Sequence, residues 1–309
     1  MSSMSEVMTA IGDGFAGLGV EDWFEAVDDR AEELGYFEPL GAKLGAAFID
    51  AGPKLLVTFE NYERIGRTNK ALVPLGFTFA QTEGWSVLTI LSDTDTPYRE
   101  DRLYRYFDRL VDDGFFEDFE DVLFFGEHLA GYAAAAYSVA APGCRVLALR
   151  PVASADPSVT GWDSRLKPLR RACFTDRYGY APDMLEGARQ AWIAVDPVEQ
   201  FDAMHVALFR ARHVARLPLR RLGAFTAHTL ETMGILQPMI AAAMDGSLDD
   251  LAMARLYRAR RTSVAYLRRL VSRLAAVGPK SRARKAAEAV LALGDDPHVA
   301  RALDHLRDG

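Results

Sequence analysis

The chain has 309 residues, 50% hydrophobic and 26% charged, with a net charge of −7, which is typical of an ordinary folded protein. This length accommodates one large α/β domain, or one domain with a helical appendage. Two cysteines are too few for a disulfide framework or a structural zinc site, so we expect a cytoplasmic protein with reduced thiols, no metal and no cofactor. The sequence shows no signal-peptide pattern and no run approaching the ~20 apolar residues that span a membrane, so we expect no membrane association.

The first part of the chain alternates amphipathic helices with short apolar strands. Apolar side chains at helical spacing among acidic residues predict a helix over 21–34, and the same spacing predicts another over 102–111. Between these helices, apolar runs bounded by turn residues predict three strands, over 46–50, 55–59 and 86–91.

A sharp turn between a strand and a helix is the most informative local feature. The apolar run Val122–Phe125 meets Gly126, a helix of small residues is predicted over 129–141, and a further strand over 145–149. A polar and aromatic excursion follows over about 154–190. Two more predicted strands, 192–195 and 214–217, then flank a short helix at 203–210.

From Thr226 onward the pattern is helical, and the charge changes sign. Positions 251–309 hold 13 basic and 5 acidic residues, whereas positions 1–250 hold 23 basic and 38 acidic residues. We favour a basic helix docked on its own domain through an apolar stripe that includes Leu267, Val271 and Leu274. Homodimerisation through these helices is an open alternative. Nucleic-acid binding is disfavoured because the pI is about 5.5 and aromatic residues are sparse in this tail.

Apolar strands that alternate with helices predict a mostly parallel central sheet covered on both faces. We divide the chain into an N-terminal helical segment (1–40), an α/β domain (41–235) and a basic helical extension (236–309). The polar and aromatic excursion at about 154–190 lies within the α/β domain.

The strand–turn–helix unit resembles a known catalytic motif. Its sequence, Phe-Gly-Glu-His-Leu-Ala-Gly-Tyr-Ala-Ala over residues 125–134, resembles the G-x-S-x-G-G-Y-A-A nucleophile elbow of α/β-hydrolase-like proteins. It is most similar to a bacterial branch often found near surface-polysaccharide genes, whose Pro-x-x-x-x-Asp-Pro turn is matched by Pro151 and Asp156-Pro157. The resemblance covers about residues 55–234. It implies a three-layer α/β-hydrolase-like sandwich with a mostly parallel sheet, in which the excursion at about 154–190 would form a cap over the pocket.

The sequence departs from this motif at two of the three catalytic positions. His128 stands where the family has its serine, Ala130 replaces the second elbow glycine, and Ala224 fills the position expected for the histidine. Only Asp196, which follows the strand at 192–195, matches the family's acid. Because an acid alone cannot activate a nucleophile, the resemblance implies a degenerate site.

Other residues could supply chemistry at this site. Asp202 and His205 lie three positions apart on a predicted helix, where the carboxylate could orient the imidazole or merely cap the helix. His205 could thereby replace the missing histidine, with His128 and Asp196 as the other catalytic candidates.

The remaining candidates are ligand-binding residues. Glu60 and Asn61 follow the 55–59 strand, where the resemblance places the oxyanion-hole loop. Arg177 and Tyr178 lie in the cap-like excursion, where an arginine could bind a carboxylate or a phosphate, or simply form a surface ion pair. Two elbow residues complete the set, Glu127 and Leu129.

We predict a pseudoenzyme, a degenerate α/β-hydrolase-like protein that binds a small or glycan-type ligand, accessory to surface-polysaccharide metabolism. The alternative is an active ester or acyl hydrolase or transferase that uses His128 in place of serine. A third hypothesis is an interaction protein that acts through its basic C-terminal helices. We disfavour phosphoadenosine phosphosulfate reductase, a name that similar chains sometimes carry, because the sequence has neither its Ser-Gly-Gly-x-Asp-Ser loop nor its C-terminal redox cysteine.

Overall fold

The computed structural model describes residues 11–308, which form an eight-stranded sheet with helices on both faces. The strand order is β1-β2-β4-β3-β5-β6-β7-β8, in which β2 runs antiparallel to both of its neighbours and all pairs from β4 through β8 are parallel. The strands are β1 (Gly35–Pro39), β2 (Leu44–Ile49), β3 (Lys54–Asn61), β4 (Ser86–Ser92), β5 (Asp121–Glu127), β6 (Arg145–Leu149), β7 (Gln190–Val195) and β8 (Val214–Pro218).

Of the fourteen helices in residues 11–308, one precedes β1, seven lie between strands and six follow the sheet in sequence. The helices are α1 (Val20–Leu34), α2 (Tyr62–Thr68), α3 (Leu75–Glu83), α4 (Asp101–Asp112), α5 (Leu129–Tyr137), α6 (Pro157–Thr160), α7 (Ala181–Met184), α8 (Gln200–Val206), α9 (Thr226–Thr232), α10 (Leu236–Met244), α11 (Asp250–Leu256), α12 (Val264–Val277), α13 (Lys280–Leu291) and α14 (Pro297–Asp308). Short 3₁₀ turns extend several of them, at 115–118, 138–140, 164–171 and 257–261.

The sheet has one hydrophobic core on each face because its central strands are apolar on both sides. Along β5, Leu123 and Phe125 enter the core beneath α1, α3 and the C-terminal helices, whereas Val122 and Phe124 enter the core beneath α4 and α5. The apolar stripe of α12 lies in the first of these cores, so the C-terminal extension packs on its own domain, as its sequence pattern predicts.

The fold agrees with the predicted α/β sandwich with a mostly parallel sheet and a C-terminal helical extension. Every predicted strand is present to within a few residues. One difference concerns the N-terminal helical segment, whose last residues form β1. This is a half-exposed edge strand that carries no apolar run and therefore gives no strand signal. Residues 1–10 of that segment lie outside the described residues.

The short helices α2 and α3 also have no counterpart in the prediction. In the described part of the chain, no helix is long and apolar enough to cross a membrane.

Candidate functional site

The site lies at the edge of the sheet where the parallel strands end. The carboxyl ends of β3, β5, β6 and β7 lie side by side there, the position at which α/β proteins bind their ligands. Glu60 and Asn61 close β3, Glu127 closes β5, and Arg150 follows β6. The topology therefore gathers several of the residues selected from sequence.

The turn after β5 has the backbone of a nucleophile elbow. His128 adopts φ 60° and ψ −112°, a strained conformation that non-glycine residues rarely adopt and that marks functional turns. The turn is held because the His128 N–H donates to the Leu149 carbonyl at 2.9 Å. Gly126 is required, since a Cβ at this position would lie 2.1 Å from the Ala130 carbonyl oxygen.

The imidazole of His128 is neutral and one of its nitrogens has no partner. Its Nδ1 is buried and makes no hydrogen bond within the described residues. Burial lowers the pKa of His128 well below its usual value, and the positive charges of Arg150, Arg64 and Arg165 lower it further. The side chain is therefore a neutral imidazole at physiological pH. It is a weak base, but it has the uncharged nitrogen that a nucleophile needs.

Asp196, at the acid position after β7, is engaged by backbone rather than by an imidazole. One carboxylate oxygen accepts the Val198 N–H at 3.1 Å, and the other accepts the Gly223 N–H at 2.9 Å. Gly223 belongs to the loop that would present the catalytic histidine, and the next residue in that loop is the exposed Ala224. Asp196 thus holds the shape of this loop with no histidine to orient.

His205 also has both ring nitrogens occupied. The Ala153 N–H donates to its Nδ1 at 3.1 Å, so the ring hydrogen is on Nε2, which lies 3.1 Å from Asp163 Oδ2. Trp162 packs on the ring with a centroid distance of 4.7 Å. This tautomer has no free nitrogen to accept a proton from a substrate. No hydrogen bond joins His128, Asp196 and His205 within residues 11–308.

Neither of the two roles left open for Asp202, orienting His205 or capping the helix, is what the structure shows. Asp202 Oδ1 lies 2.8 Å from Arg165 Nη1, and its Oδ2 accepts from Arg150 Nη1 at 3.2 Å. The sequence spacing does bring Asp202 and His205 onto one helix. The two arginines, which come from distant segments, compete successfully for the buried carboxylate because they carry a full charge.

Glu127 closes this network at the elbow. Its Oε1 accepts from Arg150 Nε at 3.1 Å and from the Thr226 and Ala227 N–H groups at 2.9 and 3.2 Å, and its Oε2 lies 3.6 Å from Arg64. The carboxylate therefore caps the first turn of α9 as well as pairing with two arginines.

Glu60 and Asn61, at the end of β3, serve as helix caps. Glu60 accepts the Leu75 and Gly76 N–H groups at 2.7 and 3.0 Å, which caps α3, and Asn61 Oδ1 accepts the Arg64 N–H at 2.8 Å, which caps α2. Burial raises the pKa of Glu60 even though these hydrogen bonds oppose the shift. The backbone donors at this helix end are therefore already used by the chain's own carboxylate.

Between these groups lies a cavity of about 300 Å³, at the lower end of the size range of small-molecule sites. The side chains of Glu60, Glu127, Arg64 and Arg150 line it together with a largely apolar surface that includes Phe59, Ile65, Phe125 and Leu236. Phe225, which is 67% exposed, Glu231 and His228 line it from the α9 side. Burial raises the pKa of Glu231. His128 and Arg177 are not among its lining residues.

The cap-like excursion docks on the neighbouring helices rather than over this cavity. Buried Arg99 donates to the Cys173 carbonyl at 2.8 Å and to the Tyr132 hydroxyl at 2.9 Å, and it pairs with Asp176. Tyr132 in turn donates to the Tyr178 carbonyl at 2.6 Å.

Arg177 is part of the same surface. It pairs with Asp108 of α4 and lies over the rings of Tyr104 and Tyr178. The surface ion pair that the sequence left open is therefore what the structure shows for Arg177. Leu129, the residue after the elbow histidine, is buried.

Sequence reasoning missed Arg64, Arg150, Asp163 and Arg165, which build the charged network around the elbow. Arg150 directly follows a predicted strand, so its position at the sheet edge was available as a signal. Asp163 and Arg165 lie in the irregular excursion, where the sequence has no periodicity to indicate their direction. Among residues 11–308, no cluster of three or more His, Cys, Asp or Glu side chains could hold a metal ion.

No family model and no curated protein matches the chain in sequence. Solved structures with similar folds include an esterase from the archaeon Pyrobaculum calidifontis, with 12% identity and a TM-score of 0.44 over 80% of this chain and 98% of that one. Others are carboxyl esterase 2 from the fungus Tuber melanosporum (13%, TM-score 0.42, 66% and 81%) and the capsule O-acetyltransferase of Neisseria meningitidis serogroup A (11%, TM-score 0.39, 64% and 92%).

Likeness of this size concerns the fold alone. The strand order and the sharp turn after β5 give the chain an α/β-hydrolase-like fold, which is the fold class that the elbow resemblance implied.

Proposed function

We propose that this protein is a catalytically degenerate α/β-hydrolase-like protein that binds a small polar or glycan-type ligand in the cavity at the strand ends. The observation that carries the proposal is the engagement of Asp196. Its two carboxylate oxygens accept the Val198 and Gly223 amides, so the one residue that matches the family's triad stabilises a loop and orients no base.

The cavity itself supports ligand binding. Its Glu60 and Glu231 carboxyls form no ion pair within the described residues, and each can accept a hydrogen bond from a ligand hydroxyl or ammonium group. Phe125 and the exposed Phe225 offer apolar faces of the kind on which sugar rings pack. The link to surface polysaccharides rests on the elbow resemblance alone.

Binding can be tested with glucose, glucosamine and N-acetylglucosamine as probes in saturation-transfer NMR and calorimetry. We expect at least one probe to bind, and Phe225→Ser with Glu231→Gln to weaken its affinity by about tenfold, equivalent to about 1.4 kcal/mol. Both positions are exposed, so the double variant should fold. Glu288→Gln on α13 is the matched control because it removes an exposed carboxylate far from the cavity lining. Absence of binding by all three probes would contradict the glycan part of the proposal.

The second candidate is an acyl-transfer enzyme that uses His128. Two observations favour it: the elbow backbone keeps its strained φ of 60°, and the Nδ1 of the imidazole lacks a partner. In such an enzyme an imidazole nitrogen would attack the ester carbonyl, the alcohol would leave, and water would hydrolyse the acyl-imidazole. Rapid quenching with p-nitrophenyl acetate followed by intact-mass analysis should then show one acetyl group that His128→Ala loses and His305→Ala retains.

A further inference from the structure

A second recess lies on the C-terminal extension and shares no lining residue with the elbow cavity. It is a groove of about 550 Å³ between the end of β8 and the segment formed by α11 and the following 3₁₀ turn. Four arginines line it, namely Arg255, Arg258, Arg260 and Arg261.

These arginines have no carboxylate partner in the described part of the chain. Arg255, Arg258 and Arg261 are exposed, and none of the four forms an ion pair within residues 11–308. Arg260 lies over the Tyr257 ring, 4.6 Å from its centroid, and donates to the Tyr257 carbonyl at 2.5 Å. On neighbouring α12, by contrast, Arg268 pairs with Asp296.

Apolar residues also line the groove. Leu217 and Leu219 from the end of β8 and Met253 from α11 are nearly buried there, whereas Leu251 is 56% exposed. One carboxylate, Asp250, also lines the groove and opposes the positive charge. A recess lined by guanidinium groups that form no ion pair, and by apolar side chains, is suited to an anion that carries an apolar group.

We propose that this groove binds a small diphosphate ester, in which the phosphates pair with the arginines and an apolar or aromatic group packs on the leucines. Guanidinium groups match phosphate geometry in a bidentate manner, and the groove volume falls in the range of small-molecule sites. A long polyanion such as a nucleic acid is disfavoured because it would extend over positions 1–250, where acidic residues exceed basic ones by 15.

Calorimetric titration of the full chain with ADP, geranyl diphosphate and pyrophosphate at about 50 mM salt tests this proposal. We expect ADP or geranyl diphosphate to bind with a Kd below about 1 mM, and pyrophosphate to bind about tenfold more weakly than the better of the two. The comparison of ADP with geranyl diphosphate distinguishes an aromatic from an aliphatic group.

Two charge-matched variants locate the site. The triple variant R255Q/R258Q/R261Q should weaken binding at least about tenfold, whereas R282Q/R284Q/K285Q, which removes three exposed charges from α13, should change it less than about twofold. Asp250→Asn should tighten binding because it removes the one opposing charge in the groove.

Three results would overturn the proposal. They are no binding of any of the three compounds, equal loss in both triple variants, and equal affinity for pyrophosphate and the two esters. A single-stranded oligonucleotide that binds more tightly than all three, with a steep salt dependence, would instead identify a polyanion surface.

Discussion

Arg150 is the central charge of the network around the elbow, and its replacement by methionine tests that network. The side chain is 10% exposed and joins Glu127 Oε1 at 3.1 Å to Asp202 Oδ2 at 3.2 Å. Methionine keeps most of the aliphatic packing but removes the charge. The buried carboxylate of Asp202, 2% exposed, then loses one of its two cations.

The expected loss of stability depends on the partners that Asp202 and Glu127 keep in the variant. Removal of one member of a buried ion pair costs about 3–5 kcal/mol, because the partner is left as an uncompensated charge. Here Asp202 keeps Arg165 at 2.8 Å, and Glu127 keeps the Thr226 and Ala227 amides. We therefore expect the lower end of that range, about 3 kcal/mol.

The assay is urea unfolding of wild type, Arg150→Met and the exposed control Arg105→Met, followed by circular dichroism. Arg105 is exposed and forms no ion pair in residues 11–308, so its replacement should change stability by less than about 0.5 kcal/mol. Histidine NMR provides a second readout. After burial, the positive charge of Arg150 is the largest cause that lowers the pKa of His128, so that pKa should rise in the variant. A loss below about 1 kcal/mol with an unchanged His128 titration would refute the role given to Arg150.

Three further predictions concern the elbow and the cap. Gly126→Ala should lower the free energy of unfolding by more than about 3 kcal/mol, because its Cβ would meet backbone atoms that cannot move aside. Ala130→Gly should lower it by about 1 kcal/mol, and similar melting temperatures for the two variants would contradict this. The depressed pKa of His128 means that the unfolded chain takes up a proton near pH 6.5 that the folded chain refuses, so stability is present above that pH and is lost as pH falls below it. Below about pH 6.5, the free energy of unfolding of wild type should fall by up to about 1.4 kcal/mol more per pH unit than that of His128→Gln. Parallel plots of unfolding free energy against pH for the two proteins would show that the imidazole is not desolvated. Arg99→Met should speed trypsin cleavage after Arg177, because it removes the bonds that hold the 173–178 segment; unchanged cleavage in mass spectrometry would count against this.

The sheet and the elbow could be predicted because their signals are local. A buried strand needs an unbroken apolar run, as in residues 146–149, and the elbow needs Gly126, where only hydrogen fits beside the Ala130 carbonyl. The edge strand β1 escaped prediction because it is half exposed and pairs with one neighbour only, so its sequence need not be apolar.

The side-chain partners at the site could not be predicted, because they depend on contacts between distant segments. His205 bonds to Asp163, which lies 42 positions earlier, and Glu127 bonds to amides about 100 positions later. Helical spacing left open whether Asp202 orients His205 or caps the helix, but such spacing says nothing about competing arginines from other segments. Positions at the sheet edge were therefore predictable, and their hydrogen bonds were not.

Steady-state hydrolysis of p-nitrophenyl esters of graded chain length, by wild type beside His128→Ala, tests the degenerate site most directly. Because Asp196 is engaged by backbone amides and His205 has both ring nitrogens hydrogen-bonded, we predict no turnover in wild type beyond that of the variant. Turnover that wild type shows and His128→Ala lacks would establish that histidine has replaced serine at the elbow, and would contradict a purely binding role.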